Sequence, residues 1–254
     1  MTSPSMLQEM DGVTFAQEAL GFFPDAKQAL VLDSRVPRGI LNCSRQWGKS
    51  TTTAAKAVHR AYCTPGSLVI VVSPGARQSG EFLRKAAAFA RKLGIPKRGD
   101  GDNEISLLFP NGSRIVGLPG VEATVRGFSA VSLMLIDEAA RVPEDMYKAV
   151  RPMLAVGNGD LWLMSTPAGR RGFFYEAWAN EPEWLKVSAP ATECSRIEPA
   201  FLENERRSLG DKWYRQEYCC EFLDSSECIF DRDLILAAIR DDIEPLFPEL
   251  MRRR

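Results

Sequence analysis

The amino-acid sequence predicts an α/β fold: a mostly parallel sheet flanked by helices, with a small C-terminal lid or linker subdomain. Three observations predict it. Four short apolar runs, at 39–42, Leu68–Ser73, 133–136 and 161–164, are mostly rich in Val, Ile and Leu and read as strands buried on both faces. Stretches with helical composition and spacing at 50–62, 78–93 and 144–154 separate them, the last opened by Pro143. The 254 residues, 45% hydrophobic and 26% charged, are enough to bury a full core.

The remaining elements follow in chain order. Segments 104–109 and 113–118 flank Pro110-Asn111-Gly112, where Asn-Gly supplies the positive φ of a tight turn, so an inserted antiparallel pair is expected. After 184–188 the pattern changes to Pro190, Pro199 and helical runs at 200–209 and 212–222. The expected division is a core at 1–190, a helical lid or linker at 191–230 and a tail at 231–254, too short for a second domain.

Composition excludes several classes. The 32 basic and 33 acidic residues leave a net charge of -1, so any surface for nucleic acid must be local. The six cysteines show no C-x-x-C spacing, and the single His59 cannot complete a zinc finger, so free thiols in a reducing cytoplasm are expected. No apolar run approaches the ~18 residues that span a bilayer. No repeat or low-complexity tract is present.

The strongest chemical signal is Cys43-Ser44-Arg45-Gln46-Trp47-Gly48-Lys49-Ser50-Thr51, between a strand and a helix as a phosphate loop requires. Gly48 permits the tight turn that aims backbone N–H groups at phosphate oxygens, and the helix N-terminus adds partial positive charge. Lys49 would meet the β and γ phosphates of ATP, and Ser50 would offer its hydroxyl to Mg²⁺. Cys43 stands where the loop usually has its first glycine.

A second motif, 131–138, is an apolar strand ending in Asp137-Glu138. Adjacent strand residues face opposite ways, so Asp137 can hold Mg²⁺ while Glu138 takes a proton from the attacking water. Together the motifs describe a P-loop NTPase of the additional-strand, catalytic-glutamate (RecA-like) type, with the loop strand central and the acidic strand beside it. Ser165-Thr166 ends the next apolar strand, at Pro167, where hydroxyls can sense the γ-phosphate. Gln28 can donate to and accept from an adenine edge, or be a polar helix residue. Arg45 and Arg126 can each stabilise charge on a transferring phosphoryl group, or lie on the surface.

Taken in order, Gln28, the loop with its Arg45-Gln46 pair, Thr124-Val125-Arg126-Gly127, Ile136-Asp137-Glu138-Ala139-Ala140, and Ser165-Thr166-Pro167-Ala168-Gly169 before Gly172-Phe173-Phe174-Tyr175 resemble the large terminase family of tailed phages. The likeness covers roughly residues 20–225, and the run 214–224 resembles that family's connector to its nuclease. The resemblance implies an ATPase motor that drives double-stranded DNA through a capsid portal. Its implied partners are the portal protein and small terminase subunit, with a homo-oligomeric ring when docked and a monomer alone. The implied location is the host-cell cytoplasm, transiently at the procapsid. It implies Arg126 as a finger offered to a neighbour's ATP and Arg45 as a γ-phosphate contact in cis. The family continues into a metal-dependent nuclease, which this chain is expected to lack.

Four pairs, Arg84-Lys85, Arg91-Lys92, Lys97-Arg98 and Arg170-Arg171, are candidate contacts to DNA phosphates, or solvated faces. A superfamily 2 helicase shares these motifs but needs a second RecA-like domain. A nucleotide-dependent assembly module without turnover would not need Glu138.

Overall fold

A computed structural model of the chain describes residues 9–103, 105–120 and 127–223. Seven strands form one sheet: β1 (Arg38–Cys43), β2 (Leu68–Ser73), β3 (Ser106–Leu108), β4 (Arg114–Pro119), β5 (Val131–Asp137), β6 (Asp160–Ser165) and β7 (Leu185–Ala189). Their order is β3-β4-β2-β5-β6-β1-β7, parallel throughout except for β3 against β4.

Helices α1 (Ala26–Asp33), α2 (Lys49–Cys63) and α3 (Ala76–Lys92) cover one face, and α4 (Glu144–Val150) and α5 (Gly172–Asn180) the other. The pleat sorts the side chains. Leu133 and Leu135 of β5 join the cluster that includes Ala54 and Val58 of α2, while Met134 and Ile136 join Met146 and Phe174. Covered on both sides, the central strands are apolar at nearly every position.

The sheet order corrects one expectation. The loop strand β1 lies between β6 and β7, next to the edge, and β6 separates it from the acidic strand β5. Parallel neighbours need a crossover helix, which leaves room for β6 to insert between β1 and β5 although it comes later in the chain. That inserted strand is the additional strand of the predicted fold type.

Several elements are shorter than expected. Strand β3 covers only Ser106–Leu108, yet the hairpin forms: Phe109 N donates to Ser113 O and Gly112 has φ 82°. The 144–154 helix ends at Val150 and continues as a 3-10 turn, Arg151–Leu154, because Pro152 has no N–H to donate. Helix α5 has no counterpart among the expected elements.

Beyond β7, α6 (Pro199–Leu209) and α7 (Asp211–Glu217) pack on a small core of Ala191, Leu202 and Tyr218. The expected helix at 212–222 stops at Glu217, and Cys220 takes φ 62°. Cys220 ties this segment to the strands: Asn42 Nδ2 of β1 donates to its carbonyl, and its Sγ donates to Ala189 O of β7. The expected tail at 231–254 lies outside the described residues.

Candidate active site

The carboxyl ends of β1, β2 and β5 open into a cleft of about 750 Å³. Ligands of open α/β sheets bind at this end. The phosphate loop leaves β1 there. Cys43 is still a strand residue with its side chain fully buried in the core, so this position needs no glycine. Burial holds its thiol far above the ordinary range. Trp47 turns its indole into the same core, which leaves the loop backbone and the exposed side chains of Arg45 and Gln46 outside. Gly48 takes φ 102° as the N-cap of α2, a conformation that favours glycine.

Lys49 Nζ stands 3.3 Å from Glu138 Oε1. Ser50 Oγ donates to the Asp137 carboxylate at 3.3 Å and 3.4 Å. Strand β5 ends at Asp137, and Glu138 turns out of it with φ 51° while its N–H donates to Asp137 Oδ1 at 3.1 Å. The two acids thus take different directions. Burial, then the charge of Glu138, pushes Asp137 up to about 6, against the pull of Lys49 and Lys85 and the Ser50 bond. A hydroxyl and a crowded carboxylate side by side form an oxygen donor set that a hard divalent cation fits. Ser44 Oγ and Ser165 Oγ are buried without a partner among the described residues, as groups awaiting a ligand would be.

The structure brings Thr166 to the site through an arginine that sequence reading missed. Arg141 donates to Glu138 Oε2 at 3.0 Å and to Thr166 Oγ1 at 2.9 Å, and from its other terminal nitrogen to Glu217 Oε1 at 3.0 Å. Arg45 lines the cleft, and its Nε donates to Glu217 Oε2 at 2.7 Å. Arg141 was legible in principle, three residues after Glu138 on a 3-10 turn. Glu217 and Arg196 come from the distant helical segment and had no local signal.

Gln28 borders the cleft but is 2% exposed, and its amide has other partners. Its Oε1 accepts from Asp25 N in a capping box, and its Nε2 donates to Trp47 O at 3.0 Å. Arg196 Nη2 reaches the same carbonyl at 2.6 Å. Gln28 therefore braces the loop, rather than presenting a free amide to a base as expected. Phe23, 77% exposed, stands at the rim.

The candidate basic pairs divide. Lys85 lines the cleft, while Arg84 is exposed and pairs with Glu81. Lys92 donates to Leu20 O and Arg170 to Phe222 O, so these two brace the fold. His59 is bonded to Met10 O and packed on Phe15, in a structural place. Arg126 lies outside the described residues.

Comparison with known proteins places this geometry. Residues 40–237 match the family described as terminase large subunit, T4likevirus-type, N-terminal. The terminase large subunit of Thermus virus P23-45 is 26% identical over 249 residues, 84% of this chain and 51% of that protein. That of Escherichia phage T5 is 23% identical over 70% of this chain and 42% of that protein. The chain spans about half the length of these curated relatives. The large terminase ATPase domain of Thermus phage P74-26 superposes with a TM-score of 0.74 at 22% identity, covering 84% of this chain and 99% of that one. The large terminase of a thermophilic bacteriophage, solved in complex with ATP-gamma-S, gives 0.63 at 18% identity over 78% of this chain and 52% of that one. At such identities the superpositions speak for the fold, and the sequence match over most of the chain carries the membership, which sets the helicase family aside. The chain belongs to the N-terminal, ATPase-domain family of phage terminase large subunits.

Proposed function

We propose that the chain is the ATP-hydrolysing motor domain of a DNA-packaging terminase and couples turnover to movement of double-stranded DNA into a procapsid. The observation that carries this reading is Glu138, held beside Lys49 at 3.3 Å and turned into the cleft away from Asp137. A site that only binds nucleotide has no need of a carboxylate there. In this reading Lys49 and the loop backbone from Ser44 to Thr51 hold the phosphates of ATP. Ser50 and Asp137 hold Mg²⁺ through oxygen. Mg²⁺ supplies positive charge that offsets the developing charge on the phosphoryl oxygens.

Glu138 accepts the proton of the attacking water, and Arg141 orients its carboxylate from the far side. Ser165 and Thr166, at the end of β6, sense the terminal phosphate, Thr166 by way of Arg141. Arg45 adds cationic charge in cis, and Arg126 is the residue offered to a neighbouring subunit in a ring. Gln28 acts by fixing the loop, and Phe23 offers an aromatic face to the base. The helical segment at 191–230 is a lid or linker distinct from the core at 1–190. Portal protein and small terminase subunit are the partners of this assembly, which forms in the host-cell cytoplasm at the procapsid portal. A backbone-tracking motor needs phosphate contacts and no base-reading element.

ATP hydrolysis per subunit, measured against chain concentration, tests the reading. Glu138→Gln should lower turnover about 10²-fold or more, as loss of a general base does. Turnover should rise with concentration, and Arg126→Ala should remove that rise. Unchanged turnover in Glu138→Gln would sink the hydrolytic assignment in favour of an assembly module. A concentration-independent rate indifferent to Arg126→Ala would leave an ATPase without a finger in trans.

A further inference from the structure

Helix α3 carries Arg77, Glu81 and Lys85 at a spacing of four, which lines them along one face. Glu81 could pair with either cation at this spacing, but its carboxylate is held by Arg84, three residues on. Neither Arg77 nor Lys85 has an ion-pair partner among the described residues. Both line a side cavity of about 320 Å³ next to the nucleotide cleft. Ser50, Gln78, Lys85 and Glu138 border the cleft and the side cavity alike, so the two spaces adjoin at Glu138. Of the two cations, Lys85 borders both spaces and Arg77 the side cavity alone.

The direction of the chemistry gives this cavity a use. In an in-line displacement the oxygen of water bonds phosphorus on the side opposite ADP, the bond to ADP breaks, and the proton of the water passes to Glu138. Inorganic phosphate therefore forms on the Glu138 side, with ADP behind it. An anion leaving that side meets the side cavity next, where two cations and the amide of Gln78 offer donors to its oxygens. The carboxylates there are already engaged, Glu81 with Arg84 and Asp137 with Ser50. We propose that the side cavity is a site for inorganic phosphate, held by Arg77 and Lys85 after it leaves the terminal position and before it reaches solvent. The proposal rests on the nucleotide reading above. It lets phosphate depart while ADP stays bound, because the route does not pass through the place of ADP. The phosphates of DNA carry the same oxygens, but a space of about 320 Å³ beside Glu138 fits a free anion and not a duplex.

The test titrates inorganic phosphate, by calorimetry, into the full chain saturated with ADP and Mg²⁺. Arg77→Ala should weaken phosphate binding about 10-fold, the loss of one charge-assisted bond, and leave ADP affinity unchanged. Lys85→Ala should weaken it by a similar factor, and Lys85→Arg should restore it. Arg77 is the deciding position because it borders only the side cavity. Phosphate that binds in the terminal position alone would be indifferent to Arg77→Ala, and that result would overturn the proposal. So would a chain that binds ADP but takes up no phosphate, or an Arg77→Ala chain in which both affinities fall together.

Titration of the same variant with duplex DNA separates the two sources of phosphate. An Arg77→Ala chain that loses affinity for DNA and keeps its affinity for inorganic phosphate would assign these cations to the DNA backbone, against the proposal. If ADP itself does not bind, the nucleotide reading falls and takes this inference with it.

Discussion

Lys56 shows how a single charged residue can belong to the core. It sits on α2, is 6% exposed, and its ammonium donates to Val31 O at 2.9 Å and Ser34 O at 3.0 Å while lying 4.7 Å above the Trp162 ring. These carbonyls belong to the C-terminal turn of α1 and the residues after it, where the intrahelical donors run out. Lys56→Met should therefore destabilise the fold by about 1.5–3 kcal/mol in chemical denaturation, since it strands acceptors bonded to a charged donor. Burial lowers the Lys56 ammonium to about 8. A folded value below the unfolded one means that the unfolded chain binds more protons between about pH 8 and 10, so this residue's contribution to stability rises across that window. The difference in stability between the unsubstituted chain and Lys56→Met should widen from pH 7.5 to pH 9.5. A difference constant with pH would show that the ammonium is not buried as described. At the same scale the site was partly legible. Lys49, Ser50, Asp137 and Glu138 sit in short motifs whose spacing is local, whereas the amide of Gln28 could be found committed only once its partner, the Trp47 carbonyl, was in place.

Elements form where local preference and burial agree, and their ends fall where one fails. Helix α4 stops before Pro152, and β5 stops where Glu138 takes a left-handed conformation that no ladder can continue. Asn111 joins two elements: its Nδ2 donates to Ala61 O and Tyr62 O at the end of α2, so the hairpin turn also closes a helix terminus. Strand β1 carries a tighter constraint. A Cβ on Gly39 would meet the Trp162 ring of β6 at 2.4 Å, on the register in which these two residues are direct partners. Gly39→Ala should cost about 1–3 kcal/mol, the range for overpacking a filled core, and lower the unfolding midpoint. An unchanged midpoint would mean that the indole can move aside, and that the β1–β6 pair is looser than its register implies. The hydrophobic runs announced the buried strands, but β3 is only three residues long and α5, at nine residues, is too short to show a repeating helical spacing.

Across the molecule, binding and folding are linked because the cleft is lined from the ends of β1, β2 and β5 and by Arg196 of the helical segment, whose Glu217 is bonded to Arg141. A ligand that binds only the folded chain stabilises it by mass action, so ADP with Mg²⁺ at 100 times its dissociation constant should add about 2.7 kcal/mol and raise the melting temperature. Lys49→Ala should remove most of that rise. A full rise in the variant would place the nucleotide elsewhere. The parallel α/β class, the buried strands and the phosphate-loop and acidic motifs were determined by sequence alone, because each depends on contacts between residues close in the chain: periodicity, a glycine before a helix, acids at a strand end. Strand order was not, since β6 slips between β1 and β5 by a crossover that leaves no local trace. Nor was the ionic bridge from Arg45 and Arg141 to Glu217, separated by 172 and 76 residues. Side chains so far apart meet only after the sheet has set the places of both, so their pairing is a property of the tertiary structure and not of either segment.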